Sequence, residues 1–199
     1  MTAIAALTAQ NTLGVVDILD VPPEFLRTQI RCVLEDIGAD AFKTGMLGRA
    51  ESIHVVAEEI SRYRKIPFVL DPVMVAKGGA KLLVPDAISA LIDSLLPVCT
   101  LLTPNIPEAE ALLGERIETE QDMIEAGHAL RSKGVPAVLV KGGHMQGPRL
   151  ADVLVDGETV EIFTSQRIDT RHTHGTGCTL ASAIATRLAQ GRSLREAVK

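Results

Sequence analysis

The sequence predicts an α/β protein built on a mainly parallel central sheet. Three observations carry that prediction. Short apolar runs alternate along the chain with longer segments whose apolar residues recur at helical spacing. The runs are continuous rather than alternating, as strands buried on both faces require. Polar residues and glycines gather where successive runs end, at Gln10-Asn11, Lys43-Thr44-Gly45, Asp71-Pro72, Thr103-Pro104-Asn105 and Lys141-Gly142-Gly143-His144.

Taken in order, Ile4 to Thr8 forms the first strand, with Gln10-Asn11-Thr12 as its exit before Gly14. Pro22-Pro23 opens a helix, proline being favoured in a first turn; Phe25, Leu26, Ile30, Val33, Leu34 and Ile37 follow at helical spacing, and Gly38 ends it. Ala41–Thr44 is a strand, and Ala50–Tyr63 a helix with Ile53, Val56, Ala57 and Ile60 inward. Ile66–Leu70 is a buried strand, and Pro67 at its start is tolerated there. Lys77-Gly78-Gly79 is a loop, Pro85–Leu95 a helix, Cys99–Leu102 a strand and Pro107–Leu113 a short helix closed by Gly114. A helix from Glu120 to Lys133 stops at Gly134, and Ala137–Val140 is a strand. Asp152–Val155 and Thr159–Phe163 pair across Asp156-Gly157, a hairpin signal. A last long helix runs from Thr179 to Ala189, and residues 1–199 form a single domain.

Composition narrows the function. Of 199 residues, 46% are hydrophobic and 23% charged, with a net charge of −5 and no long basic run, which argues against nucleic-acid binding. Cys32, Cys99 and Cys178 are far apart and form no CxxC pair, which points to a reducing compartment and against a disulfide framework or thiolate zinc site. There is no signal-peptide layout and no apolar run of ~20 residues, so the expected location is the cytoplasm. Neither a P-loop nor a GxGxxG fingerprint is present.

In open α/β sheets the ligand crevice lies beyond the carboxyl ends of the strands, so the polar clusters predict one shared site. Thr173-His174-Gly175-Thr176-Gly177-Cys178-Thr179 supplies its anion-binding part. A glycine-rich turn entering a helix gathers unpaired amides at the positive end of the helix dipole. A cysteine there should have a lowered pKa and serve as proton acceptor or nucleophile; otherwise Cys178 is a small packing residue in a plain loop-to-helix connection. Asn105 and Glu108 share one side of a short helix and, with Asp71, offer oxygen ligands for Mg²⁺ or its water shell; Glu108 could equally decorate a helix first turn. Lys141 could meet a phosphate as a point charge or be an ordinary strand-end lysine. His144 and His174 lack metal-pair spacing, and Met46 and Met74 suit a lining.

The chain resembles the hydroxymethylpyrimidine/phosphomethylpyrimidine kinases of thiamine biosynthesis, within the ribokinase-like superfamily. The resemblance rests on Ala6–Thr12, Lys43–Gly48, Asp71–Gly79, Thr103–Glu110, Val140–His144 and Thr173–Thr179, in family order along the whole chain. It implies a three-layer α/β/α fold with a mainly parallel sheet, truncated at both ends relative to the family. It implies an enzyme that uses ATP and Mg²⁺ to phosphorylate 4-amino-5-hydroxymethyl-2-methylpyrimidine and then its monophosphate. Gln10 would hydrogen-bond the aminopyrimidine, with Met46 and Val73 lining its pocket. Asn105 and Glu108 would organise Mg²⁺ and the ATP phosphates, with Lys141 near those phosphates. Gly175, Thr176 and Gly177 would form the anion hole through their amides. Cys178 would be the catalytic base. Family association, with the edge that a truncated sheet would expose, implies a homodimer.

Two departures from the family pattern bear on this. A first strand and glycine-rich segment, carrying an aspartate that contacts the pyrimidine, are expected before Met1, and a continuation is expected beyond Lys199. Two rival readings follow: a pyridoxine- or pyridoxal-type vitamin kinase on the same scaffold, or a catalytically weak relative that binds only ligand or a partner.

Overall fold

The structure, a computed structural model, describes residues 1–11, 14–74, 85–170, 173 and 175–199. The expected Lys77-Gly78-Gly79 loop, Thr12 and His174 lie outside the described residues. Six strands form the main sheet in the order β3-β4-β5-β6-β7-β8: β3 (Phe42–Thr44), β4 (Phe68–Leu70), β5 (Leu101–Leu102), β6 (Ala137–Val140), β7 (Arg149–Asp156) and β8 (Thr159–Gln166). β3 to β6 run parallel; β7 and β8 add antiparallel, the hairpin expected from Asp156-Gly157.

Side chains of the central strands alternate between two cores, because successive residues of a strand point to opposite faces. Phe68, Leu70, Val138 and Val140 enter one core, with α1 (Pro23–Asp36), α2 (Ala50–Ser61), α3 (Pro85–Ala90), α4 (Ile106–Leu113) and α5 (Glu120–Ser132). Val69, Leu101, Ala137 and Leu139 enter the other, with α6 (Thr176–Ala189) and α7 (Leu194–Val198). Three α/β/α layers result. After α3 the helix widens into a π turn over Leu91–Leu95 and a 3₁₀ turn to Val98 before β5.

Two features differ from expectation. The first strand, β1 (Ala6–Gln10), is not part of the main sheet. It pairs antiparallel with β2 (Val15–Asp20), a strand not anticipated, as a separate two-stranded ribbon. Gln10 therefore stands at the end of a ribbon strand rather than in the crevice row of the parallel sheet. The second difference is the start of α6, which begins at Thr176 with Gly175 as its N-cap at φ 79°. Cys178 accordingly lies within the first helical turn, not in the loop before it.

Candidate active site

Register explains how residues distant in sequence meet. Thr44, Leu70 and Leu102 are aligned across β3, β4 and β5, so the chain leaves these strands at one level. The next residues lock together: the Asp71 amide donates to Thr44 O at 3.0 Å, and the Thr103 amide to Leu70 O at 2.9 Å. Asn105 and Lys141 form an isolated parallel bridge that continues the row.

Asp71 is the buried centre of this row. Lys141 Nζ donates to its Oδ1 at 2.8 Å, Lys43 Nζ lies 3.8 Å from its Oδ2, and Thr103 Oγ1 donates to Oδ1 at 3.3 Å. Lys141 also overhangs the start of α6: a Cβ on Gly177 would lie 3.1 Å from its ammonium. Two cations, a carboxylate, the Cys178 thiol and the amino end of a 14-residue helix therefore share one spot. Within the turn, Thr176 Oγ1 donates to Thr173 O and Thr179 Oγ1 to Gly175 O. Those bonds fix the hydroxyls inside the motif.

The electrostatics correct one expectation. The Cys178 thiol is held above its ordinary pKa, chiefly by desolvation in the cleft and further by the Asp71 carboxylate. Lys43 and Lys141 pull the other way without overcoming it. Burial of the thiol, with a carboxylate beside it, opposes the lowering that a helix N-terminus favours. Lys43, given no individual role in the sequence reading, emerges as the second cation here; its partner Asp71 is remote in sequence, so only the sheet register reveals it.

Glu108 and Asn105 form a reciprocal cap at the start of α4: Glu108 N donates to Asn105 Oδ1 at 2.9 Å, and Asn105 N donates to Glu108 Oε2 at 2.8 Å. Glu108 is 5% exposed. Burial pushes its pKa up to about 7, against the amides of Asn105 and Met74 and the charge of Lys141. Among the described residues no cation pairs directly with this buried carboxyl, and a hard divalent ion beside it would relieve that cost. Asp71 is the poorer ligand, since both of its oxygens face ammonium groups.

Met46, Val73 and Gln10 line the same cleft as Cys178 and Lys141. Val73 sits beside Gly45, whose Cβ position is 3.9 Å from Val73 Cγ2. His144 is exposed on the opposite wall, its pKa lowered by partial burial and by Lys141 and Arg167. Cys99 is buried, and burial pushes its thiol up to about 12; Cys32 is exposed.

Known structures share this fold. A phosphomethylpyrimidine kinase from Clostridium difficile superposes with a TM-score of 0.87 at 39% identity, covering 100% of this chain and 81% of that one. An ADP complex of Bacillus subtilis pyridoxal kinase superposes at 0.89 with 34% identity, covering 100% and 75%. Fold and site together define a ribokinase-like phosphotransferase. The sequence model of the phosphomethylpyrimidine kinase family matches residues 1–199. The chain belongs to that family. It is 45% identical to the hydroxymethylpyrimidine/phosphomethylpyrimidine kinase of Rhizobium meliloti over 99% of its own length and 74% of the relative's. It is 51% identical to a thiamine biosynthesis bifunctional protein of Geobacter sulfurreducens, spanning 99% of itself but only 40% of that protein.

Proposed function

We propose that this chain transfers the ATP γ-phosphoryl group to the hydroxymethyl of 4-amino-5-hydroxymethyl-2-methylpyrimidine, and then phosphorylates the monophosphate. The observation that carries the proposal is the meeting of Lys43, Lys141, Asp71 and Cys178 at the amino end of α6. Phosphoryl transfer needs positioning and charge stabilisation above all, and this spot supplies fixed amides and two cations. In this reading the amides of Gly175, Thr176 and Gly177 receive the phosphoryl oxygens and Lys141 holds a phosphate. Cys178, once ionised, takes the hydroxyl proton at Sγ as the phosphorus–oxygen bond forms. Gln10 meets the aminopyrimidine, with Met46 and Val73 against its ring. Mg²⁺ would be held at the ATP phosphates with Asn105 and Glu108 at its water shell, and when bound it neutralises phosphate charge.

Steady-state assay with the pyrimidine and ATP tests the assignment. Cys178→Ala is expected to lower kcat by about 10²–10⁴-fold while ATP still binds; wild-type turnover by that variant removes Cys178 from the chemistry. Gly177→Ala crowds Lys141 at 3.1 Å and is expected to weaken transfer as well. A second reading is favoured by the superposition on pyridoxal kinase: equal or better use of pyridoxal would reverse the substrate assignment. A chain that binds ATP and the pyrimidine yet transfers nothing would instead match a weak, binding-only relative.

The same proposal includes one kinase domain over residues 1–199, a cytoplasmic location and a homodimer. Among the described residues no helix is long and apolar enough to cross a membrane. Support for the homodimer comes from the β1–β2 ribbon, where Val16 and Leu19 are 79% and 66% exposed. Leu19→Asp should then shift the species seen in sedimentation from dimer to monomer.

A further inference from the structure

The loop between β6 and β7 forms the wall of the cleft opposite Gln10 and Met46, and one side chain holds it. Arg167, immediately after β8, donates through Nε to Gly147 O at 2.9 Å, through Nη1 to Gly143 O at 3.2 Å and through Nη2 to Met145 O. Its own amide donates to Pro148 O at 2.7 Å. Among the described residues Arg167 pairs with no carboxylate, so its charge is directed at backbone carbonyls. A guanidinium presents its donors as a planar fork and can hold three carbonyls together; an ammonium has no such fixed fork.

The position of this clamp gives it a role. The held loop begins at Lys141, the cation over Gly177, and its Gly143 and His144 line the cleft with Thr173 and Gly175. Arg167 precedes Gly175, the N-cap of the cradle helix, by eight residues in the sequence. One residue therefore ties the wall beside the cradle to the segment that leads into it. With Gln10, Met46 and Val73 on the β1, β3 and β4 side, a nucleotide whose phosphates sit in the cradle extends along the β6–β8 wall.

We propose that Arg167 is a positioning residue for the nucleotide, holding the 143–147 loop as a preformed wall for the part of ATP beyond its phosphates. The proposal rests on the reading of the cleft as an ATP site. Holding the wall in advance spares its ordering on binding, so the effect falls on nucleotide affinity rather than on the chemical step.

The test measures ATP and pyrimidine binding by calorimetry, steady-state kinetics and thermal melting for the wild type, Arg167→Gln and Arg167→Lys. Arg167→Gln is expected to raise Kd and KM for ATP about tenfold. Its KM for the pyrimidine, and its kcat at saturating ATP, should stay within about twofold of wild type. Arg167→Lys should recover part of the ATP affinity. A merely structural role would weaken both ligands alike and lower the melting temperature, and that pattern overturns the proposal. Unchanged ATP affinity in either variant also overturns it; if Arg167→Gln does not fold, the lysine variant alone decides on the same measure. A wild-type chain that binds the pyrimidine but no ATP defeats the kinase reading and the clamp together. ATP binding by the wild type with no loss in the variants defeats the clamp alone.

Discussion

As the proposed base, Cys178 must lose its proton before it can accept one, and its surroundings oppose that. Because desolvation and Asp71 hold its pKa up, turnover is expected to rise with pH through the alkaline range as the thiolate forms. Lys43 favours the thiolate, so Lys43→Met should move that rising limb to higher pH; a pH–rate profile that stays in place would dissociate Lys43 from the thiol. Glu108 makes a separate prediction about stability. Its folded pKa, about 7, lies above the ordinary 4.5, so its contribution is fully present below the ordinary value and is lost as pH rises through 7. The loss amounts to at most about 3 kcal/mol. Urea unfolding at pH 5 and pH 8 should show this fall in the wild type and not in Glu108→Gln; the same slope in both would contradict it. Asn105, Glu108 and Lys141 could be singled out from the sequence because they fall in polar and glycine clusters that end successive apolar runs. The direction of the Cys178 shift could not, because it depends first on burial in the cleft and then on a carboxylate brought in from another strand.

At the scale of elements, α1 and α2 are fastened by a charged cluster rather than by apolar packing alone. Glu59, 1% exposed, receives Arg27 at 2.8 Å, Arg31 at 2.9 Å and Arg62 at 3.1 Å, and they keep its pKa low. Glu59→Ala would remove the carboxylate that the three arginines share, leaving Arg27 its contacts with Glu24 and Glu58, and should lower the midpoint of chemical denaturation. Gly142 is a second point of fine tolerance: a Cβ there would lie 1.9 Å from Ala151 O, so β6 and β7 could not stay paired. Gly142→Ala should therefore lower stability by about 1–3 kcal/mol or more and displace Lys141 with it. The buried strands were legible as apolar runs because both of their faces enter a core. β2 was not, because four of its six residues are exposed and Val15 to Asp20 carries no burial period to detect. The broadened turn at Leu91–Leu95 was equally hidden, since an apolar stripe looks the same whether a turn holds four residues or five.

Across the whole molecule, four of the six motifs that marked the family begin at the ends of the parallel strands β3 to β6, and register brings those starts level. That is why the shared crevice could be anticipated; Gln10 does line it, but from a separate antiparallel ribbon rather than from a strand of the main sheet. The ribbon that carries Gln10 is tied to the body by bonds of Gln29 with both backbone groups of Ile4, of the Val21 amide with Ala5 O and of Arg49 with Asp20, and most residues of its two strands are exposed. The strands bearing Asp71 and Lys141 are buried on both faces. Hydrogen exchange should therefore separate them, with ribbon amides exchanging orders of magnitude faster than those of β4 and β6. Under the proposed reading, the wall that meets the pyrimidine would then fluctuate independently of the floor that carries Asp71 and Lys141.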